Sequence, residues 1–321
     1  MKSIIPAVAA ALAAAFMTEP QAQSYPSRPV RIIVPFSAGS QSDVLSRLIG
    51  PRLAEGWGQQ VVVDNRPSAG GVVAGGMLAN APPDGHTLML TSNAYAVSAA
   101  LYTKLPFDPL KDITGVGQVA SVPLVLVAAP SVGIKSIGDL IALAKQKPGQ
   151  LTYGSSGTGS GTHMGGELLA LAAGIKLVHV PYKGPPEALV DAVAARITFT
   201  IAPTGPALPL VKDGRLVALA VSTAQRLPVM KDVPTVAEAG LSGFDYDAWL
   251  GVLAPARTSR TILTQFNDAV TRIVNGSEIR ERVQAQGMVV KPTSPEAFTR
   301  LVADDVAKLS KVAKASGIKL D

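Results

Sequence analysis

The sequence contains no cysteine, and aromatic residues make up only 5% of its 321 residues. The absence of cysteine excludes disulfides, thiolate metal sites and a cysteine nucleophile. It also suits an oxidising compartment, because no thiol needs protection there. The formal net charge is +6, but the basic residues are scattered along the chain. Because nucleic-acid binding usually depends on a clustered basic patch with aromatics, no nucleic-acid partner is predicted.

Histidine is equally scarce. His86, His163 and His179 lie far apart, and the sequence has no H-E-x-x-H motif. A structural role is therefore predicted for each of them rather than a metal site. Neither a metal nor another cofactor is predicted.

Long apolar runs are also few, and the one near the N-terminus is too short to span a bilayer. Lys2 precedes an alanine-rich apolar stretch from Ile4 to Met17, whereas a membrane-spanning helix needs roughly 20 residues. A polar segment follows, with Ala22 before the predicted cleavage point. Residues 1–22 are therefore predicted to be a signal peptide that exports the protein.

The rest of the chain alternates apolar strands with helices. Val30–Phe36 and Val122–Pro130 are nearly continuous apolar runs, typical of buried strands. Each begins a series of strand–loop–helix units, the pattern of an open parallel sheet. Helices are predicted at Ser259–Val274, Glu278–Gln286 and Pro295–Ala315, so the end of the chain is mostly helical.

This pattern predicts an α/β fold with two lobes, each a mostly parallel sheet flanked by helices. The first lobe would comprise residues 23–124 and 252–321, and the second lobe residues 125–251. Two strands would join the lobes beside a cleft. Ligands of such sheets bind at the carboxyl ends of the strands, where loops meet helix N-termini.

A glycine-rich stretch, "YGSSGTGSGTH" at Tyr153–His163, lies at one such strand end. It lacks the lysine of a P-loop and the glycine spacing of the dinucleotide fingerprint. Neither Ser155 nor Ser156 has the flanking glycines of the G-x-S-x-G nucleophile motif.

Anion capture by backbone N–H groups, hydroxyls and a helix N-terminus is the chemistry that remains. The "SAGSQSD" stretch at Ser37–Asp43 repeats this arrangement in the first lobe. The residues alone leave two interpretations open, an anion site or a pair of ordinary strand–helix turns.

Eight stretches, in order, resemble the Bug or TctC-type family of extracytoplasmic solute receptors. The stretches are "YPSRPVRIIVPFSAG", "VVVDNRPSAGG", "APPDGHTLML", "LYTKLPFDPLKDI", "LTYGSSGTGSGTH", "VHVPYKG", "ALAVSTAQRLPVMKDVPTVAEAG" and "WLGVLAPA". The resemblance covers nearly the whole chain after the signal peptide. It implies a type II periplasmic binding protein fold and a location in the periplasm.

The resemblance also implies a function: a non-enzymatic, monomeric receptor that holds a small carboxylate between its lobes and delivers it to the membrane subunits of a tripartite tricarboxylate transporter. The implied ligand-binding residues come from four loops. They are Phe36, Ser37, Ala38, Gly39, Ser40, Asp43, Thr91, Ser92, Asn93, Ser155, Ser156, Gly157, Gly159, Ser160, Thr162, His163, Pro203 and Thr204.

Two positions depart from the family pattern. Ser40 stands where a second glycine is usual, and Ala202, Pro203 and Thr204 occupy a loop that often carries an aspartate. Without that aspartate, a ligand bearing an amine is not expected. Two other functions stay open: a ligand-dependent partner of a sensor kinase, and a hydrolase that uses Ser155 or Ser156.

Overall fold

The structure is a computed structural model that describes residues 25–68 and 71–318. The predicted signal peptide lies outside the described residues. The strands are β1 (Val30–Val34), β2 (Val61–Asn65), β3 (Thr87–Ser92), β4 (Ile113–Val122), β5 (Leu124–Ala128), β6 (Thr152–Ser155), β7 (Val178–Pro181), β8 (Phe199–Pro203), β9 (Val217–Val221), β10 (Ala248–Pro255) and β11 (Val289–Val290). The α-helices are α1 (Gln41–Trp57), α2 (Val72–Ala79), α3 (Ala94–Leu101), α4 (Ile137–Gln146), α5 (Gly161–Ala173), α6 (Pro185–Val193), α7 (Thr204–Lys212), α8 (Arg260–Asn275), α9 (Ser277–Ala285) and α10 (Pro295–Ser316).

Two mixed sheets form the two predicted lobes. The first lobe is built on six strands in the order β11-β4-β10-β3-β1-β2, and the second on five in the order β7-β6-β8-β5-β9. β1 pairs in parallel with β2 and β3, while β10 runs antiparallel to β3 and β4. β6 pairs in parallel with β7 and β8, while β5 runs antiparallel to β8 and β9. This confirms the predicted two-lobe α/β fold. The prediction of mostly parallel sheets is wrong, because among the described strands three of the five pairs in the first sheet and two of the four in the second are antiparallel.

The chain crosses between the sheets twice. β4 ends at Val122 in the first sheet and β5 begins at Leu124 in the second, so the first crossing is at Pro123. The predicted second boundary, between 251 and 252, falls inside β10. Because β10 pairs with β4 from Ala248 to Pro255, we propose that this crossing lies just before Ala248. The limits of the lobes stay a proposal.

Serine side chains cap the N-termini of several helices. The sequence offers either Ser40 or Ser42 as the cap of α1 and Ser136 as the cap of α4, and in the structure the caps are Ser40 and Ser136. Ser40 accepts a hydrogen bond from the Asp43 N–H, and Ser136 accepts one from Asp139. Such a cap satisfies one of the N–H groups that have no partner within the helix. The three predicted C-terminal helices are confirmed within one residue at each end.

Helix α10 joins the cores of the two lobes. The sequence predicts an apolar stripe on this helix at Leu301, Val302, Val306, Leu309 and Val312, and all of these are buried except Leu301, which is half-buried. The helix packs against β4 and α3 of the first lobe and against α5 of the second. Among the described residues, no helix is both long and apolar enough to cross a membrane.

Candidate ligand-binding site

A cavity of about 340 Å³ lies between the lobes, where β1, β3, β6 and β8 end. Eight of the predicted residues line it: Phe36, Ser92, Asn93, Ser156, Gly159, Ser160, Thr162 and Pro203. Ten further residues complete the lining: Gln41, Ala94, Val122, Leu124, Thr158, Gly161, Pro185, Ala248, Trp249 and Leu250. None of these eighteen residues has a charged side chain.

Five helices begin at the wall of this cavity. Gln41, Ala94, Gly161 and Pro185 are the first residues of α1, α3, α5 and α6, and Pro203 directly precedes α7. Each helix N-terminus carries roughly half a positive charge from its aligned peptide dipoles. The cavity therefore has a positive potential that comes from the backbone.

The helices differ in the hydrogen-bond donors they offer. The first N–H groups of α1, α3 and α5 have no partner within their own helices. Helix α6 begins with Pro185 and Pro186, which have no N–H. In α7 the Thr204 N–H donates to the Pro123 carbonyl. In α3 the Ala94 N–H donates to Ser92 Oγ at 3.2 Å. Helices α1 and α5 can thus supply first-turn donors to an anion, and α3, α6 and α7 contribute mainly their dipoles.

Hydroxyl groups from the glycine-rich loop add polar contacts at the α5 end. The Thr162 Oγ1 atom accepts from the Ser156 N–H at 2.8 Å and lies 2.7 Å from Ser156 Oγ and 3.0 Å from Ser160 Oγ. Gly157 and Gly159 have φ angles of +120° and +75°, a region that favours glycine. These two glycines let the chain turn back so that the three hydroxyls meet.

Two stacked histidines lie behind this loop, outside the cavity lining. The rings of His163 and His179 are 3.8 Å apart. His163 Nδ1 accepts from the Gly159 N–H at 3.1 Å, and His179 Nε2 lies 2.6 Å from Ser155 Oγ. Burial lowers the pKa of both imidazoles, that of His179 to about 4. Both rings are therefore uncharged at neutral pH and support the loop from behind.

Asp43 has a comparable position under the first-lobe loop. Its carboxylate accepts from the Gly39 N–H at 2.9 Å, from Arg47 and from Asn65. Burial alone would raise the pKa of Asp43, but these hydrogen bonds outweigh it and hold the pKa below its ordinary value. Asp43 stays ionised and fixes the turn before α1.

The remaining predicted residues lie around the cavity rather than on its wall. Ser37, Ala38 and Gly39 are exposed at the tip of the first-lobe loop, and Ser40 is half-buried. Thr91 and Thr204 are buried, and the Thr204 hydroxyl donates to the Pro123 carbonyl at 2.8 Å. Gly157 is half-buried and does not line the cavity. Ligand contacts by these residues, and by Asp43, Ser155 and His163, stay predictions.

The residues that the sequence does not identify reach the cavity mostly through tertiary packing. Val122, Leu124 and Ala248 flank the two crossings, and Trp249 and Leu250 lie on β10. Nothing in their local pattern distinguishes them from core residues. Thr158 and Gly161 belong to the glycine-rich stretch itself, so that stretch is the one signal that points to them.

The Ser155–His179 pair has the spacing of a serine–histidine dyad, but its surroundings do not favour a nucleophile. Ser155 is fully buried, and its hydroxyl also contacts the Gly157 N–H and carbonyl. The nearest acid, Glu167, lies beside the other histidine, 3.9 Å from His163 Nε2. Within the described residues, no group of three or more His, Cys, Asp and Glu side chains is arranged to hold a metal.

The protein is similar to several bacterial proteins over most of its length. It is 34% identical to BugT of Bordetella pertussis, over 93% of this chain and 92% of that one. A solved structure of Rpa4515 from R. palustris, with adipate, is 35% identical with a TM-score of 0.76, covering 92% of this chain and 99% of that one.

MatC from Rhodopseudomonas palustris, solved with bound malate, is 30% identical with a TM-score of 0.73. The match covers 90% of this chain and 99% of the MatC chain. The family described as "Tripartite tricarboxylate transporter family receptor" matches residues 45–318. The chain therefore belongs to the TctC family of tripartite tricarboxylate transporter receptors, as the resemblance of its motifs predicts.

Proposed function

We propose that this protein is a periplasmic receptor that captures a small carboxylate in the cavity between its lobes. The observation that carries the proposal is the convergence of five helix N-termini on a cavity without charged side chains. Such an arrangement stabilises an anion through backbone N–H groups and hydroxyls. The adipate and malate of the two solved relatives are both small dicarboxylates.

Binding would work as a population shift rather than a reaction. A ligand that touches both lobes stabilises the closed form more than the open form. A membrane transporter of the tripartite family would then recognise the closed form and take the ligand. The 18 predicted site residues would act in this capture, either at the cavity wall or in support of it. The N-terminal signal peptide would deliver the monomeric protein to the periplasm.

A matched pair of ligands tests the class of acid. Malate and aspartate have the same carbon skeleton and two carboxylates, but aspartate carries an ammonium where malate has a hydroxyl. Because no acidic side chain lines the cavity, the ammonium would lose its hydration without gaining a partner. We expect malate or adipate, at about 100 times its Kd, to stabilise the protein by about 2.7 kcal/mol, and aspartate and glutamate to have little effect.

The measurement is a thermal-shift series on the purified protein with these four acids. Stabilisation by aspartate equal to that by malate would contradict the expected ligand class. The absence of any shift across these and further di- and tricarboxylates would contradict the proposed function. A pull-down from membranes with and without ligand would separate delivery to a transporter from docking on a sensor kinase.

A further inference from the structure

Tyr246 lies next to the cavity but is not among the predicted ligand-binding residues. It belongs to the segment between β9 and β10, and it is 2% exposed. It does not line the cavity, yet its hydroxyl contacts Asn93, which does. This contact connects the two lobes.

The ring and backbone of Tyr246 are held by the second lobe. The ring packs on helix α5, where a Cβ atom at Gly165 would lie 3.2 Å from the ring atoms Cδ1 and Cε1. The Tyr246 N–H donates to the Ser222 carbonyl at 2.9 Å, and the Ser222 hydroxyl donates to the Tyr246 carbonyl at 2.6 Å. Because Ser222 directly follows β9, these bonds anchor Tyr246 to the second sheet.

Asn93 is held by the first lobe. It directly precedes α3, and its backbone N–H donates to the Trp249 carbonyl at 3.0 Å. Its side-chain Nδ2 donates to the Tyr246 hydroxyl oxygen at 2.9 Å, and Asn93 itself is only 4% exposed. The bond is therefore buried on both sides and spans the lobes beside the cavity.

We propose that Tyr246 is a positioning residue whose hydroxyl latches the lobes together around the ligand and fixes the Asn93 amide at the cavity wall. The proposal rests on the proposed function, because a latch matters only if the lobes close on a ligand. In this structure the Asn93 amide has Tyr246 as its partner. Lobe opening that parts the two residues would leave both groups hydrated, so the bond would favour closure.

Removing the hydroxyl would act on the closed form alone. In Tyr246→Phe the ring keeps its packing on α5, but the buried Asn93 Nδ2 loses its acceptor. An unpartnered buried donor of this kind predicts a rise of about 5- to 30-fold in the Kd for adipate. The rise should appear mainly as faster dissociation, because the latch forms after the ligand has entered.

Tyr25→Phe is the matched control. The Tyr25 hydroxyl donates to the Gly85 carbonyl at 2.8 Å, within the first lobe and outside the cavity lining. Its loss should lower the melting temperature without changing the affinity for adipate. A change in affinity as large as that of Tyr246→Phe would overturn the proposal, because general destabilisation would then explain both.

A double-mutant cycle with Asn93→Ala tests whether Tyr246 acts through Asn93. Stopped-flow and calorimetric titrations with adipate would be made on the wild-type protein, both single variants and the double variant. Tyr246→Phe is expected to have little further effect once Asn93 is alanine. Additive effects, or an unchanged Kd in Tyr246→Phe, would overturn the latch while leaving carboxylate binding intact.

Gly165→Ala serves as a second variant if Tyr246→Phe is too unstable to assay. Its added Cβ would push on the Tyr246 ring from the second lobe without touching the cavity lining, and a rise in Kd is again expected. An unchanged Kd would contradict the latch. If the wild-type protein binds neither adipate nor malate nor any other carboxylate, the proposed function and the latch both fail.

Discussion

Ser156→Asp is expected to weaken carboxylate binding by at least about 100-fold. Ser156 lines the cavity beside Ser160 and Thr162, so an aspartate there would place a negative charge where the ligand's carboxylate is expected. Two like charges about 5 Å apart repel by about 3 kcal/mol at an effective dielectric constant of 20. The expected loss of affinity is a direct consequence of this repulsion.

Ser156→Asn is the control because asparagine has nearly the shape of aspartate and no charge. It should change the Kd by less than about tenfold, since it disturbs a single hydroxyl contact. Calorimetric titration of both variants with the best-binding carboxylate makes the comparison. Equal affinities of the two variants would show that the cavity does not select its ligand by charge.

Trp249→Ala is expected to lower the free energy of unfolding by about 3–5 kcal/mol, the usual cost of truncating a large buried aromatic side chain. Trp249 is 1% exposed and packs edge-on against Phe298, with ring centroids 5.0 Å apart. Its indole N–H donates to Asp305 on α10 at 2.8 Å. Trp249 thus links the cavity lining to α10, the helix that packs against both lobes.

Trp249→Phe separates the packing from the hydrogen bond, and Trp57→Ala is the control at the second tryptophan. Burial raises the pKa of Asp305, and the indole N–H opposes that rise, so phenylalanine should leave a buried carboxyl without this donor. We expect Trp249→Phe to lose less than the alanine variant. Because Trp57 is only half-buried, Trp57→Ala should also lower the free energy of unfolding by less than Trp249→Ala does. Urea unfolding of the three variants measures these changes. A decrease in the free energy of unfolding below about 1 kcal/mol in Trp249→Ala would contradict the core role of Trp249.

Local sequence rules predict much of the fold because caps and apolar runs act over short distances. Ser40, one of the two candidate caps of α1, and Ser136 cap their helices, and four of the five residues in the predicted stripe on α10 are buried. Helix α7 is different, since Pro209 in its interior argues against a helix there. Its start is fixed instead by two hydrogen bonds from Thr204 to the Pro123 carbonyl. Such a tertiary anchor has no sequence signal.

In the candidate site too, some features can be predicted from local sequence and others depend on tertiary contacts. The glycine-rich loop and the loop before α1 can be predicted because each lies between an apolar strand and a capped helix. Which of their side chains face the cavity depends on how the lobes pack. Ser155 and His163 turn away behind the loop, while Trp249 and Pro185 reach the wall from distant parts of the chain. The inter-lobe role of Tyr246 depends on the same packing.

The most direct measurement of the central claim compares a carboxylate with its uncharged amide in calorimetric titrations of the wild-type protein. Adipate and adipamide have the same chain length and nearly the same shape. If helix N-termini hold the ligand by its charge, adipate or the best acid of the thermal-shift series should bind with a Kd of about 10 µM or below, and its amide at least about 100-fold more weakly. Equal binding of acid and amide would contradict the account.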